Sequence, residues 1–592
     1  MGTASTKSRS PKQRAGRPNA RSASQSVQMP AEAVVSERSW LLAATVIMVV
    51  AAFLRLYDLN LVPLHHDEGV NGNFLVRLVR DGYYHYDPAN YHGPTLYYFA
   101  AFFPWLLRIF FGQNAQNHYG LTTVAIRIVP VLFGLATIAL VFTLRRNLGS
   151  VATLAAALLL AVSPGAVYLS RYFIHETLFV FFTFGMVVAL VKYFESPHLI
   201  YLISAALCAA LLFATKETAM ISVAVLVIAL VLAQVYAAVG RAIDGNQNNR
   251  ATGSEEDDRN FVERAGGPIR LSIWLLVALF VFISAYVLFY SSFFTNFPQG
   301  VYDSLKTFQI WTKTGKEAHV HPLFTYGWWL LEQESPLLLL GAVGALLALV
   351  NPRKSFAMFS ALWAFGLIAA YSLIAYKTPW LCLNFIIPLA LAAGFAIECL
   401  YQQLARWRLS SSARWLVLAA VLLIAIGPLP GLARIFDEQA YRATGDTFEP
   451  HWKTFIPGYQ TIDLNFINYD NDNRYYVYVY AHTRRETLRM LDEINKIAAR
   501  THQGDDTGIT IVSPDYWPLP WYLRDYKRVG YHGHMNPSNE PIIIARQDQA
   551  ADVQATFGDR YQQIPSGFNA AGSFALRPGV DLLLYTRREL MR

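Results

Sequence analysis

The chain of 592 residues is 54% hydrophobic and only 15% charged, with a formal net charge of +8. A soluble globular protein carries about 25% charged residues, so this composition excludes a chain lying wholly in water. The basic excess sits in a tail and in loops between apolar runs and does not argue for nucleic acid. The three cysteines, Cys208, Cys382 and Cys399, all in apolar runs, exclude a disulfide scaffold and a thiolate metal cluster.

Residues 1–38 hold seven basic and two acidic side chains among Ser, Pro and Gly, which reads as a disordered basic cytoplasmic tail. Trp40–Leu56 follows as an uncleaved first membrane helix, since no small-residue cleavage pattern closes it. Ten further apolar stretches are long enough to cross about 30 Å of hydrocarbon. They lie near 124–144, 151–169, 173–193, 199–215, 218–239, 271–291, 330–350, 356–375, 380–400 and 413–433. Thr95–Phe111 is short, contains Pro104 and Arg108, and is crowded with aromatics; it is expected to lie along the membrane surface. With that helix outside the count, Arg145-Arg146, Lys192, the 241–270 loop, Arg353-Lys354 and the cluster of Arg406, Arg408 and Arg414 all fall on one side. That is the positive-inside pattern. The expectation is a polytopic α-helical body over 39–434 with about 11 spans plus juxtamembrane helices, its N-terminus cytoplasmic. No repeated hydropathy half or broken-helix pair is visible, which argues weakly against a transporter.

In this topology the ionisable groups gather at the outer ends of the helices. The first outer loop holds His65-His66-Asp67-Glu68, a later turn holds Arg171, His175 and Glu176, and another holds Lys216 and Glu217. The loop at 292–329 holds His319 and His321, and the last outer turn holds Lys377. Such groups at membrane depth are costly and face a cavity or a partner. Helix capping, ion-pair glue and snorkelling lysines account for each cluster alone; their convergence suggests chemistry. Lysines and histidines beside acids suit a phosphate-linked, lipid-borne substrate. Lys216 or Lys377 can neutralise a phosphate leaving group, and Asp67 or Glu68 can take the proton of an acceptor hydroxyl. The predicted reaction is hexosyl or pentosyl transfer from a polyprenyl-phosphate donor to a protein, lipid or glycan acceptor.

The segments HHDEGVNG, YHGPTLYY, SRYFIHETLFVF, YKTPWL and SPDYWPLPWYLRDY resemble the GT-C superfamily of polyprenyl-phosphate-dependent glycosyltransferases. Within it the chain resembles the protein O-mannosyltransferase and aminoarabinose transferase groups. Its motifs are most similar to a prokaryotic subfamily named for association with flippase activity in protein glycosylation. The resemblance implies Asp67 as base, with Glu68 and Glu176 shaping the acceptor or a divalent-ion site, and Lys216 and Lys377 near the donor phosphate. The spacing of His319 and His321 suits a strand-borne metal site, and a metal set of Asp67, Glu176 and His321 is expected, with His66, Arg171, His175, Glu217 and His319 in substrate binding. The expected location is the plasma (inner) membrane, with the site on the extracytoplasmic side by the positive-inside pattern. His65 and His66, directly before the acid pair, are not general to the superfamily. A lipid-linked sugar flippase or accessory without transferase activity stands as the alternative, and a scaffold as a third.

Residues 434–474 form a polar connector, and 435–592 read as an extracytoplasmic α/β domain with a net charge of −3. YYVYVYAH, GITIVSP, PIIIAR and DLLLYTRR read as strands of a largely parallel sheet, separated by helices in RRETLRMLDEINKIAAR, WYLRDY and near 548–557. His482, Ser513, Asp515, Trp517 and Trp521 fall near strand ends. Turn and packing roles are the simpler reading for them, and a saccharide or acceptor docking surface the functional one.

Overall fold

The computed structural model describes residues 35–90, 92–112, 120–243, 261–311, 319–426, 477–480 and 482–591. The tail expected over 1–38 falls outside these up to residue 34, and the connector expected over 434–474 falls wholly outside.

Among the described residues seven helices are long and apolar enough to cross a membrane: Glu37–Leu56 (α1), Thr123–Phe142, Glu176–Glu195, Ala219–Gly240, Pro268–Tyr290, Ser355–Ser372 and Pro379–Arg406. Two broken pairs raise the count to nine: Ser150–Val162 with Pro164–Ser170, bent by 60°, and Thr325–Gln333 with Ser335–Leu349, bent by 111°. The eleven expected segments coincide with these seven, the two pairs and the shorter helices Leu199–Phe213 and Ser411–Ile426. Length and composition therefore support a multi-pass membrane protein, with seven to nine candidate spans among the described residues. Hydropathy concealed the breaks because each is flanked by apolar residues. Pro164 and Pro336 start the second helix of each pair, where a missing N–H loses no hydrogen bond. The breaks meet at buried Glu334, whose Oε1 accepts from Ser163 Oγ and Gly165 N, both at 2.8 Å, and from Tyr478 Oη at 3.3 Å.

Between α1 and the Thr123–Phe142 helix run two juxtamembrane helices, His66–Asp81 (α2) and Thr95–Phe111 (α3). His65 starts α2: its Nδ1 accepts from Asp67 N at 3.0 Å, while Glu68 Oε2 accepts from His65 N at 3.0 Å. That reciprocal capping satisfies two donors at the helix start, and Gly82 closes the helix at φ 76°. The 17-residue α3 packs on α2 and on the Thr123–Phe142 helix.

The C-terminal domain holds β1 (Ile509–Ile511), β2 (Val529–Tyr531), β3 (Ile542–Arg546), β4 (Tyr561–Ile564), β5 (Phe574–Arg577) and β6 (Val580–Arg587). The order is β2-β1-β3-β6-β4, with β5 also on β6. Only the β1–β2 and β1–β3 pairs are parallel; every pair involving β6 is antiparallel. The largely parallel sheet expected from sequence is thus a mixed one, because β5 and β6 form a hairpin through Gly579 at φ 77°. Ile509, Ile511, Ile542, Ile544, Leu582 and Leu584 fill its core, covered by Met490, Ile494 and Ile497 of the Glu486–Thr501 helix. The strand expected at YYVYVYAH is not formed in its described part. Val477, Tyr478 and Val479 are instead buried, and Tyr478 joins the Glu334 cluster.

Candidate active site

The site is assembled by helix ends and the loops between them around a cavity of about 660 Å³. The first two turns of α2 contribute His66, Asp67, Val70 and Asn71. One wall is the start of the Glu176–Glu195 helix with His175 and Glu176, and the adjoining turn Lys216-Glu217-Thr218; the opposite wall runs from Tyr371 to Leu381.

Local packing fixes these elements. The YHGP loop docks on the FATKET turn, where Gly93 N donates to Thr215 O at 3.0 Å. A Cβ at Gly93 would lie 2.0 Å from Ala214 O, so only glycine allows that approach. Asn71 is pinned by donating to Phe173 O at 3.0 Å and accepting from Tyr97 Oη at 3.1 Å. The C-terminal domain clamps one face of α2. Pro518 lies against Gly69 and Trp521 against Gly72, where a Cβ would meet either ring at 2.5 Å. Tyr522 Oη accepts from Leu64 N at 2.7 Å, and Arg80 pairs with Asp525.

Six of the expected site residues line the cavity: His66, Asp67, His175, Glu176, Lys216 and Glu217. Lys216 Nζ donates to Glu176 Oε1 at 2.5 Å, with both side chains at most 5% exposed. Burial pulls the ammonium down, but Glu176 and Glu217 outweigh it and hold Lys216 above the ordinary lysine range. Burial pushes the Glu217 carboxyl up, but His92, bonded at 3.2 Å, and Lys216 overcome it and leave it below the usual carboxylate range. His175 Nε2 donates to Gly93 O at 3.0 Å, and burial keeps this histidine well below the ordinary range. His66 is lowered to about 4, chiefly by burial, against the opposing charge of Asp67. The Asp67 carboxylate makes no hydrogen bond or ion pair among the described residues.

The other expected residues are occupied elsewhere. Glu68 is 0% exposed and bound to Arg127 at 2.6 and 2.8 Å, and it also accepts from Phe173 N at 2.9 Å. It is a framework acid turned away from the cavity. Arg171 donates to the carbonyls of Leu54, Arg55 and Asp58 at 3.1–3.2 Å and so closes the end of α1. Lys377 donates to His321 O at 3.3 Å and Ile374 O at 2.5 Å, stapling the HVHP loop to the YKTPW turn. In that loop His319 bonds Tyr480 at 2.8 Å, and His321 packs on Trp329. Among the described residues no three His, Cys, Asp or Glu side chains gather to hold a metal. Asp67, Glu176 and His321 therefore do not form the expected metal set, because Glu176 is taken by Lys216 and His321 faces an aromatic ring.

Asn90, His92, Tyr371, Tyr376, Thr378 and Trp380 line the cavity and were not singled out as site residues. His92 and Trp380 lie inside motifs already noted, YHGPTLYY and YKTPWL, and that adjacency was the available signal. The C-terminal-domain residues noted from sequence lie around α2 and the adjoining strand ends, and Asp515 also pairs with Arg546 and Arg577. His482 stacks on Tyr172 at 5.6 Å, Trp521 is buried on α2, Ser513 and Asp515 form a local turn, and Trp517 packs beside His66.

Residues 99–240 match a family model described as Dolichyl-phosphate-mannose-protein mannosyltransferase. No curated protein sequence matches the chain. Among solved structures, ArnT from Cupriavidus metallidurans bound to undecaprenyl phosphate is similar with TM-score 0.53 and 15% identity, covering 93% of this chain and 98% of that one. The apo state of the same protein gives 0.51 and 14%, covering 92% and 98%. An Archaeoglobus fulgidus oligosaccharyltransferase gives 0.49 and 12%, covering 89% and 73%.

Proposed function

We propose that this chain, which has the GT-C fold of polyprenyl-phosphate-dependent glycosyltransferases, moves a sugar from a polyprenyl-phosphate donor to an acceptor hydroxyl at the outer membrane face. One observation carries the reading. The unpaired Asp67 carboxylate shares an outer-end cavity with the Lys216–Glu176 and His92–Glu217 pairs. In the reaction Asp67 takes the proton of the acceptor hydroxyl as its oxygen bonds to the anomeric carbon. The bond from that carbon to the phosphate oxygen breaks, and the electron pair leaves with polyprenyl phosphate. A positioned general base of this kind is worth about 10²–10⁴ in rate. Of the two lysines considered from sequence, Lys216 is the one in the cavity, and its charge supports the departing phosphate. The undecaprenyl phosphate in the similar ArnT structure supports a donor of this class.

The sugar is a hexose or pentose, and the acceptor a protein, lipid or glycan. The basic inner loops support a plasma (inner) membrane orientation with the N-terminus cytoplasmic and the cavity and C-terminal domain outside. An impermeant label on a tag after Arg592 tests this: labelling of intact cells is expected, and labelling only after lysis overturns it. The broken helix pairs joined at Glu334 favour a second reading, movement of a lipid-linked sugar across the bilayer. Purified protein in vesicles with a labelled polyprenyl-phosphate sugar separates the two. Transfer predicts label in a water-soluble or acceptor-bound product. Change of leaflet with the sugar–phosphate bond intact supports the second.

A further inference from the structure

His66 stands beside Asp67 at the start of α2 and lines the same cavity. Its Nδ1 lies 3.2 Å from Nη1 of Arg577, which ends β5 of the outer domain. A guanidinium nitrogen only donates, so Nδ1 is the bare, accepting nitrogen and the ring proton sits on Nε2. No acceptor in the described protein takes that Nε2–H. Arg577 is itself held in place: its Nη2 donates to Asp515 Oδ1 at 2.5 Å, and Asp515 Oδ2 accepts from Arg546 at 3.0 Å. The Trp517 ring, with its centroid 6.3 Å from that of His66 and its plane inclined by 60°, limits the imidazole on another side.

The charges of the cavity give this donor a use. Three carboxylates line it (Asp67, Glu176 and Glu217) against one ammonium, Lys216, which is already bound to Glu176. A phosphate entering such a cavity needs uncharged N–H donors as well as that shared ammonium. A neutral imidazole offers one without becoming a cation that would pair with Asp67.

We propose that Arg577 of the outer domain is a positioning residue that holds His66 in its neutral Nε2–H tautomer, and that this Nε2–H donates to a phosphate oxygen of the lipid-linked sugar. The phosphate ligand rests on the transferase reading; the tautomer does not. The soluble domain thereby becomes part of the donor site and is more than an appended module.

The test uses the full chain in lipid nanodiscs, with a C55 polyprenyl phosphate as probe. Glutamine places an amide nitrogen near the position of Nε2, whereas asparagine reaches only the position of Nδ1. His66→Gln is expected to retain most of the affinity. His66→Asn and Arg577→Met are expected to lose about 10- to 100-fold, the loss of one hydrogen bond to an anionic oxygen. Arg577→Lys, which keeps a donor, is expected to restore most of the loss. Nitrogen NMR of histidine-labelled protein is expected to show a His66 signal with bare Nδ1 and protonated Nε2, lost in Arg577→Met. Equal losses in the Gln and Asn variants, or a protonated Nδ1, would overturn this assignment and leave the transferase reading standing. Wild-type protein that neither binds the probe nor transfers sugar would overturn the transferase reading, and with it the phosphate as ligand.

Discussion

Asp67 and Glu68 are neighbouring acids in opposite surroundings, so converting each to its amide separates folding from chemistry. Glu68 and Arg127 are 0% and 3% exposed. Glu68 accepts from Arg127 Nε at 2.8 Å, Arg127 Nη2 at 2.6 Å, Phe173 N at 2.9 Å and His65 N at 3.0 Å. Both of its oxygens thus face N–H donors. A glutamine turns one oxygen into an NH₂ that meets donors, and it leaves a buried guanidinium without its counter-charge. Breaking a buried pair from one side costs about 3–5 kcal/mol, against the roughly 5–15 kcal/mol that holds a typical domain folded. Asp67 has no such partners, so Asp67→Asn should shift stability by no more than about 0.5 kcal/mol. Thermal unfolding in detergent, run beside a transfer assay, reads both effects. Glu68→Gln should melt well below wild type, and Asp67→Asn should melt with it while losing transfer. Adding Arg127→Met to Glu68→Gln should recover part of the lost stability, since the uncompensated charge is then gone. A Glu68→Gln protein as stable as wild type would refute the framework role.

Further outcomes follow from the same contacts. Arg171→Met removes the donor from three carbonyls at the end of α1 and should cost about 1–3 kcal/mol of stability. The affinity of the folded fraction for polyprenyl phosphate should not change; lost affinity at full stability would return Arg171 to the substrate. Gly72→Val drives a side chain into the Trp521 ring and should cost about 1–3 kcal/mol. Amide exchange over 515–526 should quicken, and unchanged exchange would contradict the clamp. Burial holds His482 well below the ordinary histidine range, with His65, Arg127 and Arg484 adding to it. A depressed histidine stabilises fully above its unfolded value near 6.5, and that contribution is lost as pH falls, at about 1.4 kcal/mol per pH unit. Wild type should therefore lose more melting temperature between pH 7 and pH 5 than His482→Phe, and equal losses would refute the buried neutral ring.

Much of the site was legible because ionisable residues at the ends of apolar helices have few structural excuses. His175, Glu176, Lys216 and Glu217 were found by that logic and do meet at one cavity. Side-chain direction was not legible. Glu68 is α2's third residue and nothing in the sequence marks it as inward; its partner Arg127 sits inside the apolar run TVAIRIVPV, far away in sequence. Lys377 and the HVHP histidines were read as ligand-facing because the bridge between Val320 and Tyr376, which uses them as framework, is a long-range pairing. In the C-terminal domain the buried isoleucine strands were visible, but their relative direction was not. YYVYVYAH read as a strand, but in its described part Val477, Tyr478 and Val479 are buried without pairing in the sheet, with Tyr478 on Glu334.

The central claim is that Asp67 is the base of a sugar transfer supported by a lipid phosphate. A single-turnover assay with a labelled polyprenyl-phosphate sugar, comparing wild type and Asp67→Asn at matched donor occupancy, tests it most directly. The account predicts transfer by wild type and a rate lower by about 10²–10⁴ in the variant, with donor binding retained. Equal rates in the two proteins would contradict it.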